Sequence, residues 1–320
     1  MEQRPQTDSD EEARRHVVRP RGFSRNDWKD VLRRTWLGIG EDHLSIIAAG
    51  VAFFGVFAVF PAFAALVALY GLVADPSQVS ATLEVAEPVL PPDVFTILAD
   101  QVDQLVGAEQ SALGIATLIS FALALWSARL GVQALMEGLN VVYGETDTRN
   151  IVVQYLFSLL LTFVLILFAI VSLLAVVAVP AILRFVELGG AGAVLAQIAP
   201  PVILGFAVIL VIGALYRYAP SRSPARKRWI TPGAVIATVL WVTVSLGLSV
   251  YFGRFTDFNQ TYGSLGAVIA LMFWLYASTF VVLLGAQVNA QMELQTARDT
   301  TTGRPKPMGK RGAFVADHVA

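Results

Sequence analysis

Four polar side chains follow one another at helical spacing inside an otherwise apolar part of the chain. The set consists of Arg129, Gln133, Glu137 and Asn140. Their spacings of four, four and three residues would place them on one face of a helix. Arg129 and Glu137 would lie about 12 Å apart along that helix, with Gln133 between them as a bridge. We interpret this face as the lining of a polar vestibule that binds substrate. The alternative is a helix end at the membrane interface with a snorkelling arginine.

Five further residues complete the candidate substrate-binding set. Pro61 lies inside a long uncharged stretch, where a proline kinks or breaks a helix. Broken helices expose carbonyl groups that bind ligands in many transporters, although proline is also tolerated for shape alone. Tyr262 and Ser264 open the last apolar stretch, and Gln287 and Asn289 lie near its end. Packing and interhelical hydrogen bonds are the simpler explanation for these four, with ligand binding as the alternative.

The residue types that most enzymes need are scarce. The chain has no cysteine, and its three histidines, His16, His43 and His318, lie outside the apolar stretches. It has no His-Glu-x-x-His pattern, no Gly-x-Ser-x-Gly elbow and no phosphate-binding loop. Ser264 stands between glycines, but no histidine is available on the apolar stretches to activate it. We therefore expect no catalytic residues, no metal, no cofactor and no enzymatic activity.

The elements that carry these residues are long apolar segments. Of the 320 residues, 56% are hydrophobic and 15% are charged, which is more apolar and less charged than an ordinary soluble domain. About 20 apolar residues suffice to cross a bilayer, and an open chain can do so only as a helix. The sequence predicts an all-α polytopic membrane bundle of six transmembrane helices, at about 44–74, 112–131, 151–183, 198–216, 231–253 and 262–290.

Lysine and arginine are distributed very unequally between the two sides of this bundle. On the six-helix assignment, 21 of the 23 bases lie on the side that holds both termini. The positive-inside rule then places both the N-terminus and the C-terminus in the cytoplasm. The loop 75–111 would face outward. It contains seven acids and no base, and we expect one or two short amphipathic helices within it.

Three segments flank the membrane domain, which we assign to residues 41–293. Residues 1–23 and 294–320 are expected to be disordered cytoplasmic tails. Residues 24–40 are predicted to form a basic amphipathic helix that starts at Ser24 and Asp27. Its expected apolar stripe consists of Trp28, Val31, Leu32, Thr35, Trp36 and Ile39. We expect this helix to lie on the inner membrane surface, with docking to a partner as the alternative.

Four blocks of sequence resemble the YihY/virulence factor BrkB family of bacterial inner-membrane proteins. They run from Asp42-His43-Leu44-Ser45 to Phe60-Pro61, from Ala128-Arg129 to Arg149, from Tyr216-Arg217-Tyr218-Ala219-Pro220 to Thr231-Pro232-Gly233-Ala234, and from Thr261-Tyr262-Gly263-Ser264 to Gln287-Val288-Asn289-Ala290. The resemblance covers about residues 40–293 and implies six membrane helices with a transport-like or envelope-related role. Some members carry the older label ribonuclease BN, which this sequence does not favour because its charges are scattered among loops and offer no basic groove.

These observations predict a transporter or flippase-like protein for a lipid-like or small amphiphilic substrate. Since an ATPase motif is missing from the sequence, transport would be gradient-driven, passive or dependent on a partner. The alternative is a membrane scaffold or envelope-integrity factor that transports nothing. The expected partners are membrane lipids, with a second copy of the chain or an envelope protein as further possibilities, and no nucleic acid.

Overall fold

The computed structural model describes residues 20–73, 110–185, 189–254 and 264–320. Within these ranges the chain forms helices and turns without a β-strand, apart from an isolated antiparallel bridge between Ala225 and Thr301. After a 3-10 turn at Pro20–Gly22, the helices are α1 (Arg25–Glu41), α2 (Leu44–Val73), α3 (Gln110–Val142), α4 (Ile151–Phe185), α5 (Gly189–Tyr218), α6 (Lys227–Arg254), α7 (Ser264–Glu293) and α8 (Phe314–Asp317).

Six of these helices, α2 to α7, are long and apolar enough to cross a membrane. The all-α class and the number of membrane helices are therefore confirmed. α4 and α5 follow each other along the chain and pack together. Large apolar side chains on the helices remain exposed, as expected for surfaces that face lipid; Ile151 and Leu118 are 84% and 70% exposed.

Several helix boundaries differ from the prediction. α3 continues to Val142, well past its predicted end at residue 131. α5 begins at Gly189, before its predicted start at about residue 198, and passes through Pro200 and Pro201. α6 begins at Lys227, four residues before the predicted start at residue 231, and the Thr231 hydroxyl donates to the Lys227 carbonyl one turn earlier, at 2.8 Å. α2 continues through Pro61 without a break. Membrane helices tolerate proline because neighbouring groups satisfy the freed carbonyl.

The chain divides into two compact units, and the first comprises Met1–Ala48, Ala134–Val244 and Ala277–Ala320. One of its apolar clusters surrounds Phe23, which packs against Trp28 and Trp229 with ring centres 5.9 and 6.1 Å apart. The N-terminal tail was predicted to be disordered as far as residue 23, but the structure is ordered from Pro20 onward. The reason is that Phe23 packs against Trp229, which is about 200 residues away along the chain and could not be predicted as its partner. Residues 1–19 lie outside the described part of the chain.

The second unit comprises Ala49–Gln133 and Ser245–Tyr276. Small residues allow its helices to approach closely. A Cβ at Gly131 would lie 3.5 Å from the Phe54 Cβ, and one at Gly55 would lie 3.0 Å from the Leu275 Cδ1. This is the close packing expected where helices associate in lipid, because small side chains let the backbones meet. Most of the predicted outer loop 75–111 lies outside the described residues.

Residues 294–320 form a folded segment, which corrects the prediction of a disordered tail. Arg311 is 5% exposed, and its guanidinium donates to the carbonyls of Lys306, Ala316 and Ala297. The Asp317 carboxylate accepts backbone N–H groups at Gly309, Arg311 and Gly312. Polar composition suggested disorder, but these side chains satisfy the backbone of tight turns and so replace an apolar core.

Candidate functional site

The predicted site residues lie in different surroundings. Pro61, Arg129 and Gln133 belong to the second unit, whereas Glu137, Asn140, Gln287 and Asn289 belong to the first. Tyr262 lies outside the described residues, and Ser264 is the first residue of α7. We therefore take the two units in turn.

Arg129 on α3 is 5% exposed, although it carries a permanent charge. Its Nη1 donates to the Gln133 Oε1 at 2.9 Å, one helical turn further on, and its guanidinium carbon lies 5.0 Å from the centre of the Trp126 ring. Both contacts come from the same helix. Gln133 therefore bonds to Arg129, which is one half of the predicted bridge to Glu137, and the aromatic face adds a cation–π contact.

Glu137 and Asn140, the last two residues of the predicted polar face, have opposite environments. Glu137 is exposed, whereas Asn140 is 5% exposed. The Asn140 Oδ1 accepts the backbone N–H of Ser221 at 2.8 Å, so this side chain holds the loop that follows α5. All four residues lie on α3, with Arg129 and Gln133 in the second unit and Glu137 and Asn140 in the first.

Gln287 and Asn289 on α7 form hydrogen bonds to other elements of the protein. Such bonds were the simpler of the two explanations for these polar residues in the sequence. The Gln287 Nε2 donates to the Asp42 Oδ2 at 2.9 Å, at the turn between α1 and α2. The Asn289 amide accepts from the Gly233 N–H at 2.8 Å and donates to the Ile230 carbonyl at 3.0 Å. Burial raises the pKa of the Asp42 carboxyl, and the hydrogen bond from Gln287 partly offsets this.

A buried ion pair, which the sequence did not reveal, lies near these residues in the first unit. The Arg222 Nη2 contacts the Glu293 Oε1 at 2.8 Å, and both side chains are fully buried. The Thr300 hydroxyl donates to the Glu293 Oε2 at 2.6 Å, and the Arg222 guanidinium lies 3.9 Å from the centre of the Tyr143 ring. We call Arg222, Glu293, Tyr143 and Thr300 the buried charge cluster. It ties the loop after α3, the loop after α5 and the C-terminal segment to the end of α7.

The electrostatics of the buried charge cluster keep its arginine charged. Burial alone would lower the pKa of Arg222, but the charge and hydrogen bond of Glu293 outweigh this effect and raise that pKa above its ordinary value. Burial also raises the pKa of the Tyr143 hydroxyl, which therefore stays protonated. The arrangement suits a permanent charge pair that fixes structure. The sequence contained only weak signs of it, because Arg222 is one of several loop bases and Glu293 a single acid at a helix end.

Arg149, which was also not predicted as a functional residue, caps the C-terminal end of α5. Its guanidinium donates to the carbonyls of Tyr218, Ala219 and Pro220, and it lies 4.4 Å from the centre of the Phe157 ring. Carbonyls at the end of a helix have no intrahelical partner, so a cation there satisfies them and the helix dipole together.

An apolar cleft of about 390 Å³ lies within the second unit, between the later part of α6 and the first part of α7. It is lined by Ser245, Leu248, Ser249, Phe252, Ala270, Leu271 and Trp274. The Trp274 indole N–H donates to the Ser245 hydroxyl at 3.1 Å. The sequence analysis did not predict this cleft. Ser245 and Ser249 are four residues apart on an apolar helix, and this spacing indicates that both hydroxyl groups lie on the same helix face.

No group of three or more His, Cys, Asp or Glu side chains suited to a metal ion occurs among the described residues.

Comparison with known proteins matches a family model, Virulence factor BrkB, to residues 35–309 of this chain. A ribonuclease-like protein of Bacillus subtilis (strain 168), YfkH, is 34% identical over 179 residues, which is 54% of this chain and 65% of YfkH. A UPF0761 membrane protein of Xanthomonas oryzae pv. oryzae (strain PXO99A) is 37% identical over 92 residues, or 29% of this chain and 21% of the relative.

The chain thus matches less than two thirds of the length of each of these relatives. No solved structure shows a significant match. The family model, in contrast, covers well over half of the chain, including α2 to α7 and the buried charge cluster. The chain belongs to the virulence factor BrkB family of membrane proteins.

Proposed function

We propose that this protein is a transporter or flippase-like protein of the bacterial inner membrane that moves a lipid-like or small amphiphilic molecule. The observation that carries the proposal is the apolar cleft between α6 and α7. Its volume of about 390 Å³ falls in the range typical of small-molecule sites. Its walls are aliphatic and aromatic, with hydroxyl groups at two positions.

The composition of the cleft favours an amphiphile over an ion or a sugar. Leu248, Phe252 and Leu271 offer only apolar contacts, which suit an acyl chain or another hydrocarbon group. Ser245 is engaged by Trp274, and Ser249 adds a second hydroxyl one helical turn away. A small number of hydroxyl groups in an apolar wall can orient a ligand by hydrogen bonding, and the ligand does not need to be charged.

The surroundings of the cleft favour entry from the lipid phase. Leu246 and Val250 on α6 are 63% and 53% exposed, and Phe273 on α7 is 53% exposed. These apolar groups flank the lining residues in sequence and face away from the protein. A molecule dissolved in the bilayer would therefore reach the cleft without crossing a polar barrier.

Reconstitution into lipid vesicles tests the proposal. We expect the purified full-length chain to increase transbilayer movement of a fluorescent phospholipid or a small fluorescent amphiphile. Ser249→Leu and Ala270→Leu, which fill the cleft, should each slow this movement severalfold. Val250→Leu, on the exposed side of α6, is the matched control and should leave the rate unchanged. A wild-type protein that moves none of the probes, or cleft variants that move them at the wild-type rate, would overturn the proposal.

A non-transporting scaffold or envelope-integrity factor is the second candidate. It is favoured by the contacts of Asn140, Gln287 and Asn289, which bind backbone and side-chain groups of the protein itself. Under this alternative, the reconstituted chain moves no probe, whereas its loss weakens the cell envelope. Variants of the buried charge cluster would then impair the envelope in proportion to their loss of stability, and cleft variants would have no effect.

We propose no enzymatic activity and no nucleic-acid partner for this chain. The name of YfkH describes that relative, and ribonuclease activity is not part of the proposal. Incubation of the purified chain with labelled RNA, under the conditions that support transport, is the direct check.

A further inference from the structure

The two faces of α1 have different chemistry. One face, with Val31, Thr35 and Gly38, is buried against the rest of the first unit. The other face exposes three large apolar side chains: Trp36 is 75% exposed, Leu32 58% and Leu37 50%. The apolar stripe predicted from the sequence is therefore divided, with Val31 and Thr35 inside the protein and Leu32 and Trp36 outside it.

The bases of α1 lie among the exposed apolar residues. At 3.6 residues per turn, Arg25, Lys29 and Arg33 fall within the same arc of about 140° as Leu32, Trp36 and Leu37. All three bases are exposed. The acids Asp27, Asp30 and Glu41 fall outside that arc. We call these three bases and three apolar residues, Arg25, Lys29, Arg33, Leu32, Trp36 and Leu37, the basic-apolar face.

The opposite side of α1 is fixed to the end of α7. The Arg34 Nε donates to the Gln291 Oε1 at 3.0 Å, and its Nη2 donates to the Gln295 Oε1. Gln295 in turn donates to the Asp27 Oδ1 at 3.0 Å. These bonds set the rotation of α1 about its axis, so the basic-apolar face cannot turn inward without breaking them.

The position of α1 places this face beside the membrane. Only Asp42 and His43 separate α1 from α2, the first membrane helix. Ile46, in the first turn of α2, is a further large apolar side chain that is 70% exposed. Apolar side chains interspersed with long basic ones are typical of helices that lie at the headgroup level of a bilayer.

We propose that the basic-apolar face of α1 is a binding surface for anionic phospholipids of the leaflet on the side of the chain termini. Trp36, Leu32 and Leu37 insert between the acyl chains, and Arg25, Lys29 and Arg33 contact the phosphate groups. Because the opposite face is bonded to α7, the lipid composition of that leaflet acts directly on the end of the last membrane helix. This inference does not depend on the proposed transport activity.

Site-directed spin labelling of the full-length chain tests the proposal, since the absence of native cysteine makes single-cysteine variants unambiguous. Labels at Trp36→Cys and Leu32→Cys are measured in nanodiscs of phosphatidylcholine with increasing phosphatidylglycerol. We expect both labels to be accessible to oxygen and shielded from an aqueous nickel reagent, more strongly as phosphatidylglycerol increases. Two labelled positions keep the test open if one variant fails to fold.

Charge variants supply the matched comparison. Lys29→Gln with Arg33→Gln should raise severalfold the phosphatidylglycerol fraction needed to shield the labels, because each base near an anionic surface contributes attraction. Arg304→Gln with Lys306→Gln removes the same charge from exposed positions of the C-terminal segment and should have no effect. Labels equally open to nickel in every lipid mixture would overturn the proposal. Label-to-label broadening that shows α1 packed against a second copy would also overturn it.

Discussion

The Arg222–Glu293 pair is a fully buried contact at which a single substitution should be strongly destabilising. Arg222→Met would leave the Glu293 charge buried without its partner, a change that costs about 3–5 kcal/mol of unfolding free energy in comparable pairs. Replacing both, as Arg222→Met with Glu293→Leu, should recover much of this loss, because no charge then remains buried. Thermal unfolding in detergent measures both variants. Arg298→Met, at an exposed position, is the control and should have little effect. An Arg222→Met protein as stable as the wild type would refute a structural role for the pair.

Glu145 connects the loop after α3 to the C-terminal segment, and its protonation should be visible in the pH dependence of stability. Burial raises the pKa of Glu145, while the Phe314 N–H, bonded to its Oε1 at 2.7 Å, and Arg222 partly oppose this. The unfolded chain therefore loses this proton at lower pH than the folded protein does. Stability falls as pH rises from the ordinary glutamate value, about 4.3, through the raised value.

Glu145→Gln removes this titration but keeps a carbonyl oxygen that can accept the Phe314 N–H. We expect the variant and the wild type to have similar melting temperatures below about pH 4, with the variant more stable above the raised pKa. Melting curves over a pH series measure the difference. A wild type that is the more stable protein at neutral pH would contradict the expected sign.

At the scale of single residues, the sequence identified polar positions but not their partners. Gln287 and Asn289 are conspicuous because they are amides at the end of an apolar stretch. Their partners, Asp42 and the backbone at Ile230 and Gly233, are more than 50 residues away along the chain and carry no matching signal. Arg222 and Glu293 were missed for the same reason, since each is ordinary in its own segment and only the fold brings them together.

Helix packing in the first unit depends on a reciprocal close approach between α6 and α7. A Cβ at Gly285 would lie 2.5 Å from the Tyr216 hydroxyl and 2.6 Å from the Gly233 carbonyl oxygen. A Cβ at Gly233 would lie 2.2 Å from the Gly285 carbonyl oxygen. Backbone atoms cannot move aside as a flexible side chain can, so both positions require glycine.

Gly285→Ala should therefore force α6 and α7 apart and lower the unfolding free energy by about 1–3 kcal/mol. It should also disturb the hydrogen bond from the Tyr216 hydroxyl to the Val282 carbonyl, now 2.6 Å. Gly247→Ala is the matched control on α6, because a Cβ there has no atom within 4 Å, and it should not lower stability but raise it by up to about 1 kcal/mol, since alanine favours a helix over glycine. Thermal unfolding compares the two. Equal stability of both variants would show that the helices can separate without cost.

At the scale of helices, apolar length predicted which elements exist but not where they end. α3 and α5 extend beyond their predicted spans, 112–131 and 198–216, because Arg129 and the Pro200-Pro201 pair are accommodated inside helices. A charge or a proline is a poor boundary signal where a side chain can find a partner on its own helix, as Arg129 does with Gln133. In α1, by contrast, the boundary was predicted correctly, because the reciprocal bonds between Ser24 and Asp27 are local and readable from spacing.

For the molecule as a whole, the contacts of α1 bear on topology. Asp27 near the start of the described chain bonds to Gln295, just after the last membrane helix. Both ends of the membrane domain therefore lie on one side of the bilayer, as an even number of crossings requires. This agrees with the six apolar helices. The contacts do not tell which side of the bilayer holds the two ends, and the distribution of lysine and arginine predicts that it is the cytoplasmic side.

Single-cysteine labelling decides the orientation, again because the chain has no cysteine of its own. Thr302→Cys is exposed in the C-terminal segment, and Ser80→Cys lies in the loop predicted to face outward. A membrane-impermeant maleimide should label Ser80→Cys in intact spheroplasts, and Thr302→Cys only after permeabilisation. The cysteine-free parent is the background control. Labelling of Thr302→Cys in intact spheroplasts would reverse the assignment, and with it the choice of leaflet for α1, because α1 and the C-terminal segment are bonded to each other and must share a side.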